Sequence, residues 1–94
     1  MASVPETQAS TEKLSLYYRD WCGYCYFVKR NLDNFNVDIE IRDINKNSAY
    51  RNELLSATGR GTVPVLRRDF SDSRTEWMPE SIDIIKYLQE NYAK

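Results

Sequence analysis

Leu14-Ser15-Leu16-Tyr17-Tyr18-Arg19-Asp20-Trp21-Cys22-Gly23-Tyr24-Cys25 is the stretch on which the fold turns. Leu14, Leu16 and Tyr18 alternate with Ser15 and Tyr17, the period-two pattern of a strand. After Cys22, Tyr24, Phe27, Val28, Leu32 and Phe35 share one face at helical spacing, with Lys29, Arg30 and Asp33 opposite. The two cysteines therefore sit where a strand ends and a helix begins. Residues three apart on a helix have Cα atoms about 5 Å apart, inside the roughly 4.4–6.8 Å that a disulfide requires. Such a pair opens and closes with little backbone movement. Cys22 falls before or at the first helical turn, where unpaired N–H groups and the helix dipole favour a thiolate, so it is the expected nucleophile. Cys25, one turn in and beside Tyr24 and Phe27, is expected to be shielded and to serve as the resolving thiol.

Composition narrows the chemistry to this pair. The chain has 94 residues, 41% hydrophobic and 29% charged, the size and balance of one small globular domain. Lys+Arg 13 against Asp+Glu 14 leave no basic footprint for nucleic acid, and no apolar run approaches the roughly 20 residues of a membrane helix. The absence of histidine removes Cys-His and Ser-His mechanisms and imidazole metal ligation together. A bond between cysteines only three apart closes almost no loop, so the pair is not a structural staple. Zinc wants four ligands, and two cysteines meet that only with carboxylates or with a second subunit sharing the metal. Residues 1–12 are polar, contain Pro5 and carry no targeting pattern. They read as a disordered tail before a domain of residues 13–94, in a cytoplasmic protein.

The remaining elements follow outward. Val37, Ile39 and Ile41 alternate with Asp38, Glu40 and Arg42, a strand with one polar face at a sheet edge. Asn47 or Ser48 caps a helix carrying Tyr50, Leu54 and Leu55 and stopped by Gly59. Val63-Pro64-Val65-Leu66 reads as a short strand, Asp69 to Ser73 as a turn, and Thr75 to Met78 as a returning strand. Ile84, Ile85, Leu88 and Tyr92 stripe a closing helix. The order β-α-β-α-β-β-α implies a parallel first pair with a right-handed crossover and an antiparallel last pair. The simplest architecture is a four-stranded mixed sheet with helices on both faces. Pro64 needs a reason inside a strand. Either it marks an edge, or a cis bond after Val63 bends the chain beside the cysteines and presents the Val63 backbone to a peptide-like substrate.

Leu16 to Cys25 resembles the opening of a glutaredoxin, and Gly59-Arg60-Gly61-Thr62-Val63-Pro64 resembles that family's approach to its cis-proline. The resemblance runs over about residues 14–92 and implies the thioredoxin-like fold. It also implies glutathione-dependent exchange with protein disulfides and glutathione mixed disulfides. On this resemblance Arg19 supplies a cation for a glutathione carboxylate, Tyr24 is the tyrosine between the cysteines, and Arg60 is a further cation. Thr62, Val63 and Pro64 form the segment whose backbone pairs with the tripeptide. Two departures stand out. Gly23 replaces the usual proline, as in members that hold a bridging [2Fe–2S] cluster, with Cys22 as a ligand. The family's Gly-Gly turn before the last helix is replaced by Pro79-Glu80-Ser81, more like the Glu-Ser pair of glutathione transferase N-terminal domains. By that likeness Ser81 holds the γ-glutamyl carboxylate and Glu80 its ammonium, where plain helix capping is the simpler role.

The leading expectation is a dithiol glutaredoxin, monomeric, with glutathione as co-substrate. The alternatives are a cluster carrier or sensor bridged across a dimer, a transferase-like adaptor that binds glutathione without turnover, and a thioredoxin served by a reductase.

Overall fold

The computed structural model describes residues 12–94. Its elements are β1 (Glu12–Tyr18), α1 (Gly23–Asn31) with a 3-10 turn (Leu32–Asn34), β2 (Ile39–Asp43), α2 (Ser48–Thr58), β3 (Val65–Phe70), β4 (Thr75–Met78) and α3 (Ser81–Tyr92). The sheet order is β2-β1-β3-β4. β1 runs parallel to β2, from Leu14 opposite Ile39 to Tyr18 opposite Asp43. It runs antiparallel to β3, from Glu12 opposite Phe70 to Tyr17 opposite Val65, and β3 turns back antiparallel into β4. The expected mixed four-stranded sheet is thus the observed one, with β2 at an edge. No helix among the described residues is long and apolar enough to cross a membrane.

Helices cover both sheet faces, so β1 is buried on both from Leu14 to Tyr18. Leu14, Leu16, Tyr18 and Leu66 pack with Cys25 and Val28 of α1 and with Ile84 and Leu88 of α3. On the other face Tyr17 and Val65 pack with Ile44 and with Leu54 of α2. The caps of α2 are those the sequence implies. Asn47 Oδ1 accepts the Ala49 N–H at 2.9 Å, and Gly59 takes the left-handed conformation (φ 72) with its N–H on the Leu55 carbonyl.

Several expectations shift. The buried stripe of α1 is Cys25 and Val28, followed by the partly buried Leu32, whereas Tyr24 and Phe27 face outward. The apolar face is rotated by one position because α1 docks on α3 through residues three and four apart, starting at Cys25. α1 also ends at Asn31, and Phe35 lies beyond the 3-10 turn in a bridge to Ala93. Val37 precedes β2, and Pro64 precedes β3 instead of lying within it.

Glu12 belongs to β1, while residues 1–11 of the expected tail lie outside the described residues. The Glu12 side chain is only 5% exposed. It accepts bonds from Arg68 Nε at 2.8 Å and from the hydroxyls of Tyr87 and Tyr92. On the α2 side, the buried Tyr17 hydroxyl donates to Glu53 at 2.7 Å and accepts from Arg42 at 2.8 Å and Arg67 at 3.2 Å. Each layer therefore contains a polar knot at sheet-to-helix contacts, and each knot joins elements far apart in the chain.

Candidate active site

β1 ends at Tyr18, and the chain turns through Arg19, Asp20 and Trp21 before α1 begins. Trp21 has φ 65 and its side chain is 99% exposed. That left-handed backbone costs an L-residue about 1–2 kcal/mol, and here it brings the chain round so that Cys22 becomes the N-cap of α1. Cys22 is extended (φ −119, ψ 113), and its carbonyl accepts the Tyr26 N–H at 2.9 Å. Its Sγ accepts the Cys25 N–H at 3.3 Å, the bond that a serine or aspartate makes in an ordinary cap. The sulfur thus lies on the open end of the helix.

Cys25 is the opposite case. Both thiols are free, but Cys22 is partly exposed and Cys25 has no exposed surface at all. Burial pushes the Cys25 thiol up to about 12, and the hydrogen bond to Cys22 pushes the same way. One thiol is reachable and the other is held in reserve behind it.

The second wall comes from a distant segment. The Cys22 Sγ lies 3.8 Å from the Val63 carbonyl oxygen, in donor position toward it. The Val63–Pro64 peptide is cis, with Pro64 buried and Thr62 exposed. Chain topology therefore brings Cys22, Cys25 and Val63 together. Arg19 joins Cys22 in lining a recess of about 460 Å³. Of the other expected site residues, Tyr24, Arg60, Glu80 and Ser81 do not line this recess. Tyr24 is 71% exposed on the outer face of α1. Arg60 is exposed, its backbone tied on both sides to the Thr58 hydroxyl at 3.0 and 3.2 Å. Glu80 is the N-cap position of α3, yet its side chain makes no capping bond. That leaves the carboxylate outside the helix, beside the half-buried Ser81.

One residue near the cysteines was missed in the sequence. Lys29 lines the same recess as Cys22 and donates to the Tyr18 hydroxyl at 3.1 Å. Cys22, Tyr26 and Lys29 stand at i, i+4 and i+7, a helical stripe that the sequence already contained. Among the described residues, no group of three or more His, Cys, Asp or Glu side chains is placed to hold a metal ion.

The glutaredoxin family model matches residues 14–69, from within β1 to the last residues of β3. This chain belongs to the glutaredoxin family. It is 31% identical to Glutaredoxin 2 of Escherichia coli K12 over 77 residues, covering 82% of this chain and 33% of that protein. The chain thus spans about a third of the length of that relative. Among solved structures, a thioredoxin-like protein superimposes with TM-score 0.62 and 28% identity, over 81% of this chain and 99% of the other. A maleylacetoacetate isomerase from Anaeromyxobacter dehalogenans, with glutathione bound in its active site, superimposes with TM-score 0.63. It is 23% identical over 85% of this chain and 38% of its own, a likeness of fold. Glutaredoxins are thiol–disulfide oxidoreductases, and the fold is the thioredoxin-like one that the resemblance implied.

Proposed function

We propose that this glutaredoxin domain reduces protein disulfides and glutathione mixed disulfides through Cys22 and Cys25, with glutathione as electron donor. The observation that carries this reading is the division between the two sulfurs, one open at a helix N-terminus and one enclosed and held protonated. The Cys22 thiolate attacks one sulfur of a substrate disulfide. The S–S bond breaks, and the departing thiolate takes up a proton. For a protein disulfide, Cys25 then gives up its proton and its sulfur displaces the substrate from Cys22, leaving a Cys22–Cys25 disulfide. Two glutathione molecules return the pair to the dithiol and leave as glutathione disulfide. For a glutathionylated substrate, Cys22 takes the glutathione, and a second glutathione releases it without Cys25.

In this reading glutathione lies along Thr62, Val63 and Pro64 and pairs with the Val63 backbone. Arg19 and Arg60 face its carboxylates, Tyr24 packs beside it, and Ser81 and Glu80 receive its γ-glutamyl end. The Val63 carbonyl beside the Cys22 sulfur and the uncommitted Glu80 side chain support that placement. The domain works as a monomer in a thiol-reducing, cytoplasmic setting. A [2Fe–2S] cluster would take Cys22 from each of two subunits, with glutathione completing its ligands. The enclosed Cys25, placed behind Cys22 as a resolving thiol, favours the dithiol reading.

Cysteine variants test it. Cys22→Ser is expected to abolish turnover of a protein disulfide and of a glutathionylated peptide alike. Cys25→Ser is expected to keep the second activity and lose most of the first, with a mixed disulfide trapped on Cys22 and located by mass spectrometry. Deglutathionylation lost in Cys25→Ser but kept in Cys22→Ser would reverse the roles. Turnover supported by thioredoxin reductase and not by glutathione would overturn the choice of donor.

A further inference from the structure

We propose that the recess between Tyr18, Trp21, Cys22, Tyr26 and Lys29 receives an acidic side chain of the substrate polypeptide, next to its reacting cysteine, and that the Lys29 ammonium binds it. The proposal rests on the exchange reaction above and deepens it, because it states which polypeptides the site prefers. Cys22 forms part of the recess wall, while Thr62, Val63 and Pro64 do not line it. The segment proposed to pair with glutathione thus lies outside the recess, and of the residues proposed to bind glutathione Arg19 alone is on its wall.

Lys29 is prepared for an anion in a way that surface lysines seldom are. Its Nζ donates to the Tyr18 hydroxyl at 3.1 Å and lies 4.6 Å from the centre of the Tyr18 ring. Tyr18 is buried, and its own hydroxyl donates to Asp20 at 3.3 Å, so the anchor is fixed. The side-chain entropy that a free lysine loses on pairing is in large part already lost here. The ammonium offers three donors and Tyr18 takes one. Asp20 also lines the recess, but its carboxylate accepts from the Tyr18 hydroxyl and meets Lys46 at 3.9 Å, and among the described residues no carboxylate lies within ion-pair distance of Lys29. With Arg19 and Lys29 against Asp20 on the wall, the recess carries one net positive charge. The hydrogen bond to Tyr18 pushes the lysine's titration upward, which keeps the charge in place at working pH. Trp21 at 99% exposure and Tyr26 at 65% offer aromatic walls for the aliphatic stem of a glutamate.

The chemistry is that of the exchange step. Cys22 takes the glutathione sulfur, the peptide–glutathione S–S bond breaks, and the peptide leaves as a thiolate that is then protonated. Lys29 makes and breaks no bond; it binds the peptide while this occurs.

The test uses two glutathionylated peptides that differ only in carrying glutamate or glutamine beside the cysteine. Fully reduced protein is mixed with each in single-turnover stopped flow, and transfer of glutathione to Cys22 is followed by mass. The expected preference for the acidic peptide is about three- to fivefold in rate constant over KM, the size of an exposed charge pair. It should fall toward one at about 0.5 M salt. Lys29→Gln is expected to bring the ratio to one, and Lys29→Arg to restore it. Equal rates in the wild type, or a preference that persists in Lys29→Gln, overturn the proposal. Loss of the preference in Arg19→Gln alone would assign the carboxylate to Arg19, which also overturns it. A wild type that takes glutathione from neither peptide faster than Cys22→Ser does would overturn the exchange reading itself. Equal rates well above that background leave exchange standing and remove only the recess.

Discussion

Replacing Glu12 with glutamine tests whether the first residue of β1 locks the sheet to α3. The carboxylate is nearly enclosed and accepts bonds from Arg68 Nε at 2.8 Å and from Tyr87 and Tyr92. Hydrogen bonds to a charged group are worth about 1.5–3 kcal/mol, against about 0.5–1.5 for neutral pairs. An amide of the same shape loses roughly 1 kcal/mol at each of three bonds, offset in part by Glu76, which still meets Arg68 at 3.1 Å. Glu12→Gln is therefore expected to cost about 2–3 kcal/mol in urea unfolding near neutral pH. For a domain of this size, that corresponds to a fall in Tm of roughly 10–20 °C. The pH dependence gives an independent check. Burial alone would push the Glu12 carboxyl up, but the bonds from Tyr87, Tyr92 and Arg68 outweigh it and hold it below its ordinary 4.5. With a folded value below the unfolded one, this stabilisation is complete above the unfolded value and is lost as pH falls through the folded one. The gap between wild type and variant should accordingly close on acidification. A gap under about 0.5 kcal/mol at neutral pH, the size of an ordinary surface substitution, would refute the reasoning. So would a gap that stays constant into strong acid.

Two further outcomes follow from the site. Gly23 opens α1, a Cβ there meets nothing within 4 Å, and Cys22 already has the extended backbone that a residue before proline adopts. Gly23→Pro is expected to stabilise the domain by about 0.4–1 kcal/mol in urea titrations, and a destabilised variant would count against the cap geometry. With the Cys25 thiol raised from 9.0 to about 12, the unfolded chain ionises first. The reduced protein should then lose stability from about pH 9 to 12 at up to about 1.4 kcal/mol per pH unit, a component missing from Cys25→Ala. Identical alkaline slopes for the two proteins would show that the buried thiol carries no such linkage.

What was legible in the sequence was local. The strand-to-helix junction, the i,i+3 cysteines, the Asn47 cap and the Gly59 stop each depend on residues within one or two turns. What was not legible depends on distant partners. Glu12 looked like the end of a polar tail because Arg68, Tyr87 and Tyr92 stand 56, 75 and 80 residues away. Arg42 read as part of a polar strand face, yet it converges with Arg67 on the buried Tyr17 hydroxyl from either side. Tyr24 and Phe27 misled for another reason. Helical periodicity counts every aromatic residue as core, while the outer face of α1 keeps these two uncovered.

The reactive pair and the wall opposite it have different claims on the folded state. Cys22 and Cys25 are joined by one helical turn, so any opening that spares the start of α1 leaves them paired. The Val63 carbonyl comes from 41 residues away and is held near Cys22 only while β3 stays zipped to β1. Partial opening of a domain proceeds by cooperative segments, not by uniform loosening. On the proposed function, a state in which β3 had left β1 would keep the paired cysteines and lose the wall that faces the substrate. Reactivity thus rests on the first turn of α1 alone, and discrimination on the pairing of β1 with β3.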